Sequence, residues 1–511
     1  MVRARRRARN RVPARPTSAA WIALAGVGLG AAVHAQEPSR LVTITPSVAV
    51  SATASDNSKL SATDRQSEVI TQVSPAVRAE IRSGRLQGAL DYTLTGAVYS
   101  RHSEENEVRQ ALNARASAEL VDNHLYVNGN ASISRRAISA FGTQEAEAGL
   151  INGNATEVAN ISINPSLRGR IGGVVNYEAQ VGREITRAKD TNNSDSDSTS
   201  ASMRLSGGSG LLGWALDGMR FVNEYRLGRK TTNDRAFATI SAQPDIEVRV
   251  ALRGGREASD VTTPERTFNN TYGASVAWLP TERTTISLDA DHRYYGNSHA
   301  LVLQHRMARS VFRFTDSRSA STDNSPAPFT AYDLYFTQLK SSIPDPVQRD
   351  AFVRAYLAAL GIDPRTGVPG GFLTSALTVA RRQDLSWSMS GVRTTYTLLA
   401  FSSETRRIGA VPIGNSADDL GKVDLVRQLG YTFAVGHRLT PDSSLNLGLT
   451  RLKTMAADTL PGNDLRSIDL TWTGRLGPRA SVSLGGRHSE SESSAAPYTE
   501  SAVTATLSLT F

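Results

Sequence analysis

The chain ends Val503-Thr504-Ala505-Thr506-Leu507-Ser508-Leu509-Thr510-Phe511. Val503, Ala505, Leu507, Leu509 and Phe511 alternate with hydroxylated Thr504, Thr506, Ser508 and Thr510, and a two-residue period puts the two sets on opposite faces of a strand. The texture recurs upstream. Val69, Val73, Val77 and Ile81 alternate with Gln72, Arg78, Glu80 and Arg82. Leu112, Ala114, Ala116 and Leu120 alternate with Asn113, Arg115 and Glu119, and Ile468, Leu470 and Trp472 with Asp469, Thr471 and Arg475.

Tight turns at Ser83-Gly84-Arg85, Asp122-Asn123, Gly172-Gly173, Gln243-Pro244-Asp245, Pro280-Thr281-Glu282, Pro441-Asp442-Ser443 and Gly477-Pro478 punctuate these segments. Longer polar stretches at 55–67, 136–156, 188–197, 258–267, 405–423 and 453–463 lie between them. Short turns at one end and long loops at the other are the asymmetry of an outer-membrane barrel. The fold expected is therefore all-β: a transmembrane, antiparallel up-and-down barrel of about 22 strands. A soluble sandwich also alternates, because one face meets a core. It would need a second, more hydrophobic layer, which the sequence lacks. The terminal Phe511, in phase with Leu509 and Leu507, resembles the C-terminal assembly signal of bacterial outer-membrane proteins.

Residues 1–35 read as a secretory signal. Seven arginines (Arg3, Arg5, Arg6, Arg7, Arg9, Arg11 and Arg15) precede an apolar run to Val33, and Val33-His34-Ala35 is a small-residue cleavage pattern. The barrel then occupies 36–511. Of 57 basic residues, 50 remain against 48 acidic ones once the leader is gone, so the net charge falls from +9 to about +2. No basic stripe with interleaved aromatics remains, which excludes a nucleic-acid partner. The absence of cysteine removes disulfides, thiol catalysis and thiolate metal sites.

One segment, 319–373, breaks the pattern. Pro346 suits a helix start and Gly361 a helix end. Val347, Phe352 with Val353, Tyr356 and Leu360 form an apolar stripe, so one amphipathic helix of about four turns is expected in an extracellular loop. Three placements are open: over the mouth, in the lumen as a plug, or outside.

With the apolar sets facing lipid, the lumen-lining candidates are Arg78, Glu80, Arg82, Asp91, Arg115, Glu119, Arg168, Arg170 and Glu178, followed by Asp289, Asp291, Arg293, Arg438, Asp469 and Arg475. The bland reading is mutual charge pairing in a wet interior; the sharper one is a passage for a hydrated polymer. Outward aromatic girdle candidates are Tyr92, Tyr177, Trp278, Tyr294, Phe312, Phe314, Tyr396, Tyr431, Phe433, Trp472 and Phe511. Enzyme motifs are weak. Asp195-Ser196-Asp197 lacks the rest of a calcium loop, and His102-Ser103 with Glu104-Glu105 is adjacent only in sequence. No catalytic residue, cofactor or metal site is expected.

Pro280 to Gly296, and Ile343-Pro344-Asp345-Pro346 through Pro369-Gly370-Gly371-Phe372-Leu373-Thr374-Ser375, resemble uncharacterised outer-membrane β-barrel proteins associated with the PEP-CTERM/exosortase system. The resemblance runs over nearly the whole mature chain, including the Ser74-Pro75 strand and Phe511. It implies an exopolysaccharide context but assigns no catalytic residue. The expected role is a channel or channel component for exopolysaccharide export, with outer-membrane lipid, the barrel assembly machinery and periplasmic export components as partners. A surface scaffold that holds protein or polymer is the second reading, and an outer-membrane hydrolase the third.

Overall fold

A computed structural model describes residues 41–511, apart from 148, 193, 322–329, 340–342, 344–345, 361–369, 410–417, 459 and 494–495. The expected signal segment lies outside the described residues. Twenty-two strands form one antiparallel sheet in which each pairs with its chain neighbours. The first, β1 (Val42–Ser55), pairs with the last, β22 (Tyr498–Thr510), which closes the sheet into a barrel. No described helix is long and apolar enough to cross a membrane; the crossing elements are strands.

Alternation decides the facing. Val73, Val108, Ile163, Val181, Leu252, Ile468 and Leu470 are exposed on the outer surface. Residues of the opposite parity, such as Ile70, Tyr99, Leu399, Phe401 and Leu465, are buried in the interior. A largely apolar exterior over a polar and locally cored interior makes this a membrane-spanning barrel of the outer-membrane type.

The strands that matter below are β2 (Glu68–Arg82), β3 (Leu86–Tyr99), β4 (Glu107–Val121), β5 (Leu125–Ala137), β6 (Ala155–Ile171), β7 (Val175–Ala188), β8 (Ser196–Ser209), β9 (Leu212–Tyr225), β10 (Lys230–Asp245), β11 (Val248–Ser259) and β12 (Thr267–Thr281). They continue through β13 (Thr284–Arg293), β14 (Gly296–Arg306), β15 (Ser310–Ala320), β16 (Thr378–Ser390), β17 (Thr394–Arg407), β18 (Leu425–Thr440), β19 (Ser443–Thr454), β20 (Asn463–Gly477) and β21 (Ala480–Ser493).

Short turns gather at the end that also holds Leu41 and Phe511, the periplasmic end of such a barrel. Gly172 and Gly173 there have φ of 58° and 73°, and Asn123 has φ of 58°, the left-handed backbone that tight hairpin connections use. Two expected turns fall one or two residues early. Pro244 and Pro280 sit instead in register shifts, Ala242/Asp245 and Trp278/Thr281, where a bulge absorbs the missing N–H before the chain turns. Tight turns at 210–211, 307–309 and 391–393 carry weaker signals and were not expected.

Among its described residues the insert between β15 and β16 holds two helices, not one: α1 (Ala331–Gln338) and α2 (Pro346–Leu360). A third, one-turn helix, α3 (Asp419–Lys422), lies in the loop before β18 and is capped by the Asp418 carboxylate, which accepts the Leu420 N–H.

Candidate functional site: a plugged lumen

The helical insert folds into the barrel. Ala331, Tyr335, Val353 and Leu357 bury against one another between α1 and α2, with the Tyr335 and Tyr356 rings edge to face at 5.5 Å. The packed stripe is thus Val353/Leu357. Phe352, expected in it, is 47% exposed because it lies one helical step off that face. Leu334 seats α1 on the wall against Val311 and Leu399.

The wall beneath the helices is lined by small polar side chains. Ser386, Ser388, Thr395, Thr397, Ser444 and Asn446 are all buried there, short enough to let helices approach. Tyr335 Oη and Thr397 Oγ1 share a hydrogen bond of 2.7 Å, and Tyr356 Oη and Thr395 Oγ1 one of 2.9 Å. Thr395 and Thr397 are among the first four residues of β17, at its periplasmic end, so the hairpin enters from outside and reaches deep into the lumen.

Its other side meets the barrel through charge. Asp350 accepts from Arg78 at 3.0 Å, from Arg354 at 3.1 Å and from Arg115 at 3.4 Å, and also from the Tyr332 hydroxyl. Arg354 reaches Asp91 at 3.5 Å. One carboxylate on α2 therefore gathers wall arginines from β2 and β4. Arg115 is half exposed in this node, while Asp350 and Arg78 are mostly buried, so one water-exchangeable pair is combined with tighter ones.

A second closure lies at the extracellular end. Asp418 accepts the Ser375 N–H at 2.7 Å and the Thr374 hydroxyl at 2.9 Å. Asp419 accepts the Ala140 N–H and the Ser139 hydroxyl, both at 2.7 Å. Three loops, after β5, β15 and β17, are thereby knotted over a core of Ala140, Phe141, Ala376, Leu420, Val423 and Val426. Burial pushes the Asp419 carboxyl up, with the Ser139 and Ala140 bonds opposing and the Asp418 charge adding to the rise. Burial likewise raises Glu145 in the β5–β6 loop, against the pull of Arg135 at 2.7 Å. Leu60 from the β1–β2 loop and Leu150 from the loop after β5 pack inward on Ile70, Tyr99, Phe401, Leu452, Leu465 and Tyr498.

Every lumen candidate lies on the inner parity, but in different company. Arg78 and Arg115 join the Asp350 node, with Glu80 bridging Arg78 and Arg82. Asp289 and Asp291 both hold Arg253, and Arg293 is buried against Glu257 at 2.6 Å. Glu119 accepts the Tyr126 hydroxyl at 3.1 Å, and Arg168 lies 3.9 Å over the Tyr126 ring. Arg170 donates to Asn176 at 2.9 Å. Arg438, at the periplasmic rim, donates to the Val392 carbonyl at 2.6 Å. Asp469 sits over Gly448, where a Cβ would run into its carboxylate, and Arg475 is exposed at the rim. Among the girdle candidates, Tyr294 belongs instead to the β13–β14 connection, where its N–H turns to Glu257.

The hairpin fills the β15–β19 side and leaves space along β3–β8. Two clefts of about 380 and 540 Å³ open there, sharing Arg168 and Glu178, with Glu119 and Tyr126 lining the first and Arg170 and Arg204 the second. The region around His102 is held by a carboxylate. Ser100 donates to Glu68 at 2.6 Å and His102 pairs with the same carboxylate at 2.7 Å, so no hydroxyl meets the imidazole as a nucleophile–base pair would. Among the described residues no group of three or more His, Asp or Glu side chains could hold a metal ion.

No family model matches the chain, and no curated protein matches it. Solved structures do resemble it. A ferric enterobactin receptor mutant (PfeA) from Pseudomonas aeruginosa shares 10% identity at a TM-score of 0.47, covering 92% of this chain and 80% of the other. The siderophore receptor PirA from Acinetobacter baumannii shares 10% at 0.44, over 92% and 80%. The FrpB iron transporter from Neisseria meningitidis shares 11% at 0.36, over 91% and 82%.

Proposed function

We propose that this protein is a gated transport barrel of the Gram-negative outer membrane, delivered by its N-terminal signal, with the α1–α2 hairpin as gate and a hydrated polysaccharide as cargo. One observation carries the reading: the hairpin meets β2–β4 through the Asp350 node of ion pairs, one of them open to exchange with water, beside clefts already lined by polar groups. A 22-strand wall encloses more space than its own side chains fill, and barrels of that size in general hold a plug within a transport path. Dispersed charges with one aromatic face, Tyr126, suit weak contacts to sugar hydroxyls and rings. The exopolysaccharide assignment is supported by the sequence resemblance to PEP-CTERM-associated barrels.

Planar-bilayer conductance tests the gate. Wild-type protein is expected to be closed or to flicker, and a variant with 331–360 replaced by a short Gly/Ser linker to conduct steadily. A linker variant that folds, shifts in gel mobility on heating and still fails to conduct would sink the transport reading.

The loop knot around Asp418 and Asp419 favours a second reading, a closed scaffold that retains polymer at the surface. Deletion of the gene separates the two: polymer trapped in the periplasm supports transport, and polymer released but not retained supports the scaffold.

A further inference from the structure

The outer wall from β7 to β12 carries charges that alternation should have kept out of lipid. Arg183 on β7, Arg220 on β9 and Arg256 on β11 share the outward parity of Val181, Leu216 and Leu252. Each stands eight residues beyond the periplasmic start of its strand, at Val175, Leu212 and Val248. At the rise and tilt of barrel strands this is about 20 Å up an apolar band roughly 25 Å tall. The three arginines form a row near the upper edge of the hydrocarbon, on alternate strands about 10 Å apart.

The row is short of counter-charge. Arg220 has Asp234 at 3.7 Å, and Asp234 is already held by Arg266 from above. Arg183 and Arg256 have no acidic partner among the described residues. Just above, Arg187 with Asp197 at 3.1 Å and Lys230 with Glu224 at 3.7 Å are balanced pairs that add no net charge. Four arginines thus share one carboxylate. The opposite wall differs: Arg427 pairs with Glu404 at 3.0 Å, Arg451 with Asp464 at 2.6 Å and Arg466 with Glu492 at 3.2 Å.

Beneath and beside the row the outer surface is concave. A shallow trough of about 800 Å³ is floored by Ala179, Gly218 and Ala236 and flanked by Val181, Met203 and Phe268, with Arg220 and Arg256 at its upper edge. Unpaired guanidinium groups at a hydrocarbon boundary are costly unless an anion meets them, and guanidinium is the group best matched to phosphate.

We propose that this face binds one phosphorylated, multiply acylated lipid of the extracellular leaflet, its phosphates among Arg183, Arg220, Arg256 and Arg266 and its acyl chains in the trough. A row about 20 Å long suits a headgroup with more than one phosphate. The site rests on the outward facing of β7–β12 and is independent of whether the lumen transports anything.

Native mass spectrometry of the full-length protein in detergent, with added lipid A, reads the site directly. Wild type is expected to retain lipid A, and R183Q/R220Q/R256Q to lose at least about tenfold in apparent affinity, as loss of charge-assisted contacts implies. Dephosphorylated lipid A should bind wild type no better than lipid A binds the triple variant. R427Q/R451Q on the far wall should leave binding unchanged, and heat-shifted gel mobility should show each variant folded. Equal retention by the triple variant, equal binding of dephosphorylated lipid A, or full competition by millimolar inorganic phosphate would each overturn the proposal.

Discussion

Asp350 on α2 and Arg78 on β2 lie 3.0 Å apart across 272 residues of sequence. This contact ties the insert between β15 and β16 to the far side of the barrel. Replacing Asp350 with Asn removes the shared anion from Arg78, Arg115 and Arg354 while keeping size and one acceptor. The hairpin should lose about 1–3 kcal/mol of seating energy. Open events in planar bilayers are expected to rise roughly tenfold or more; an unchanged open fraction would remove this node from gating.

Acidity should act on the extracellular knot. Burial raises the Asp419 carboxyl above its unfolded value, so the folded loops bind a proton more readily than the unfolded chain. The associated stability is present in full below the ordinary carboxylate range and is lost as pH rises through the raised value. Hydrogen exchange at residues 139–142, corrected for intrinsic rates, should therefore show stronger protection at pH 4.5 than at pH 7.5. Asp419→Asn, which keeps an acceptor for Ser139 and Ala140, should shrink that difference to the part Glu145 contributes.

Leu470 stands on the outer face of β20, between Leu447 and Gly486, and is 48% exposed. Leu470→Arg places a guanidinium near the bilayer midplane and should cost about 2–4 kcal/mol. Unfolding in urea from liposomes measures it. A cost below about 0.5 kcal/mol would mean that the facing of β20 is reversed.

Leu507 and Leu509 pair with Val50 and Val48 on β1, and the Phe511 N–H reaches the Pro46 carbonyl at 2.9 Å. Deleting Phe511 removes that last bond and the aromatic of the proposed signal to the barrel assembly machinery. The heat-modifiable fraction in outer-membrane preparations should fall several-fold, with undegraded chain rising in the periplasm of a protease-deficient strain.

The wall was legible and its contents were not. Strand number, the inward set from Arg78 to Arg475 and most hairpins follow from a two-residue period, because each strand meets lipid on one side whatever its neighbours are. Two of the features above left a trace that could have been read. Arg183, Arg220 and Arg256 share parity with Val181, Leu216 and Leu252, so they were visible as charges on the wrong face. Thr330-Ala331-Tyr332-Asp333 has the hydroxyl and acidic residue, three apart, of a helix start, and Leu334, Tyr335 and Phe336 follow as an apolar run, so α1 could have been read as well. The rest is non-local. Nothing near Asp418 announces Ser375, and nothing near Asp350 announces Arg78. Val353 rather than Phe352 faces inward only because α1 is there to receive it.

The pairing of Ser55 with Ala502 has a temporal meaning as well. The opening segment of the wall cannot find its second permanent neighbour until almost the entire chain has been synthesised and exported. Until then two raw hydrogen-bonding margins stay bare, each able to template onto a stranger. The cell must therefore escort this polypeptide as an unsealed ribbon, and quality control has one decisive seam to inspect.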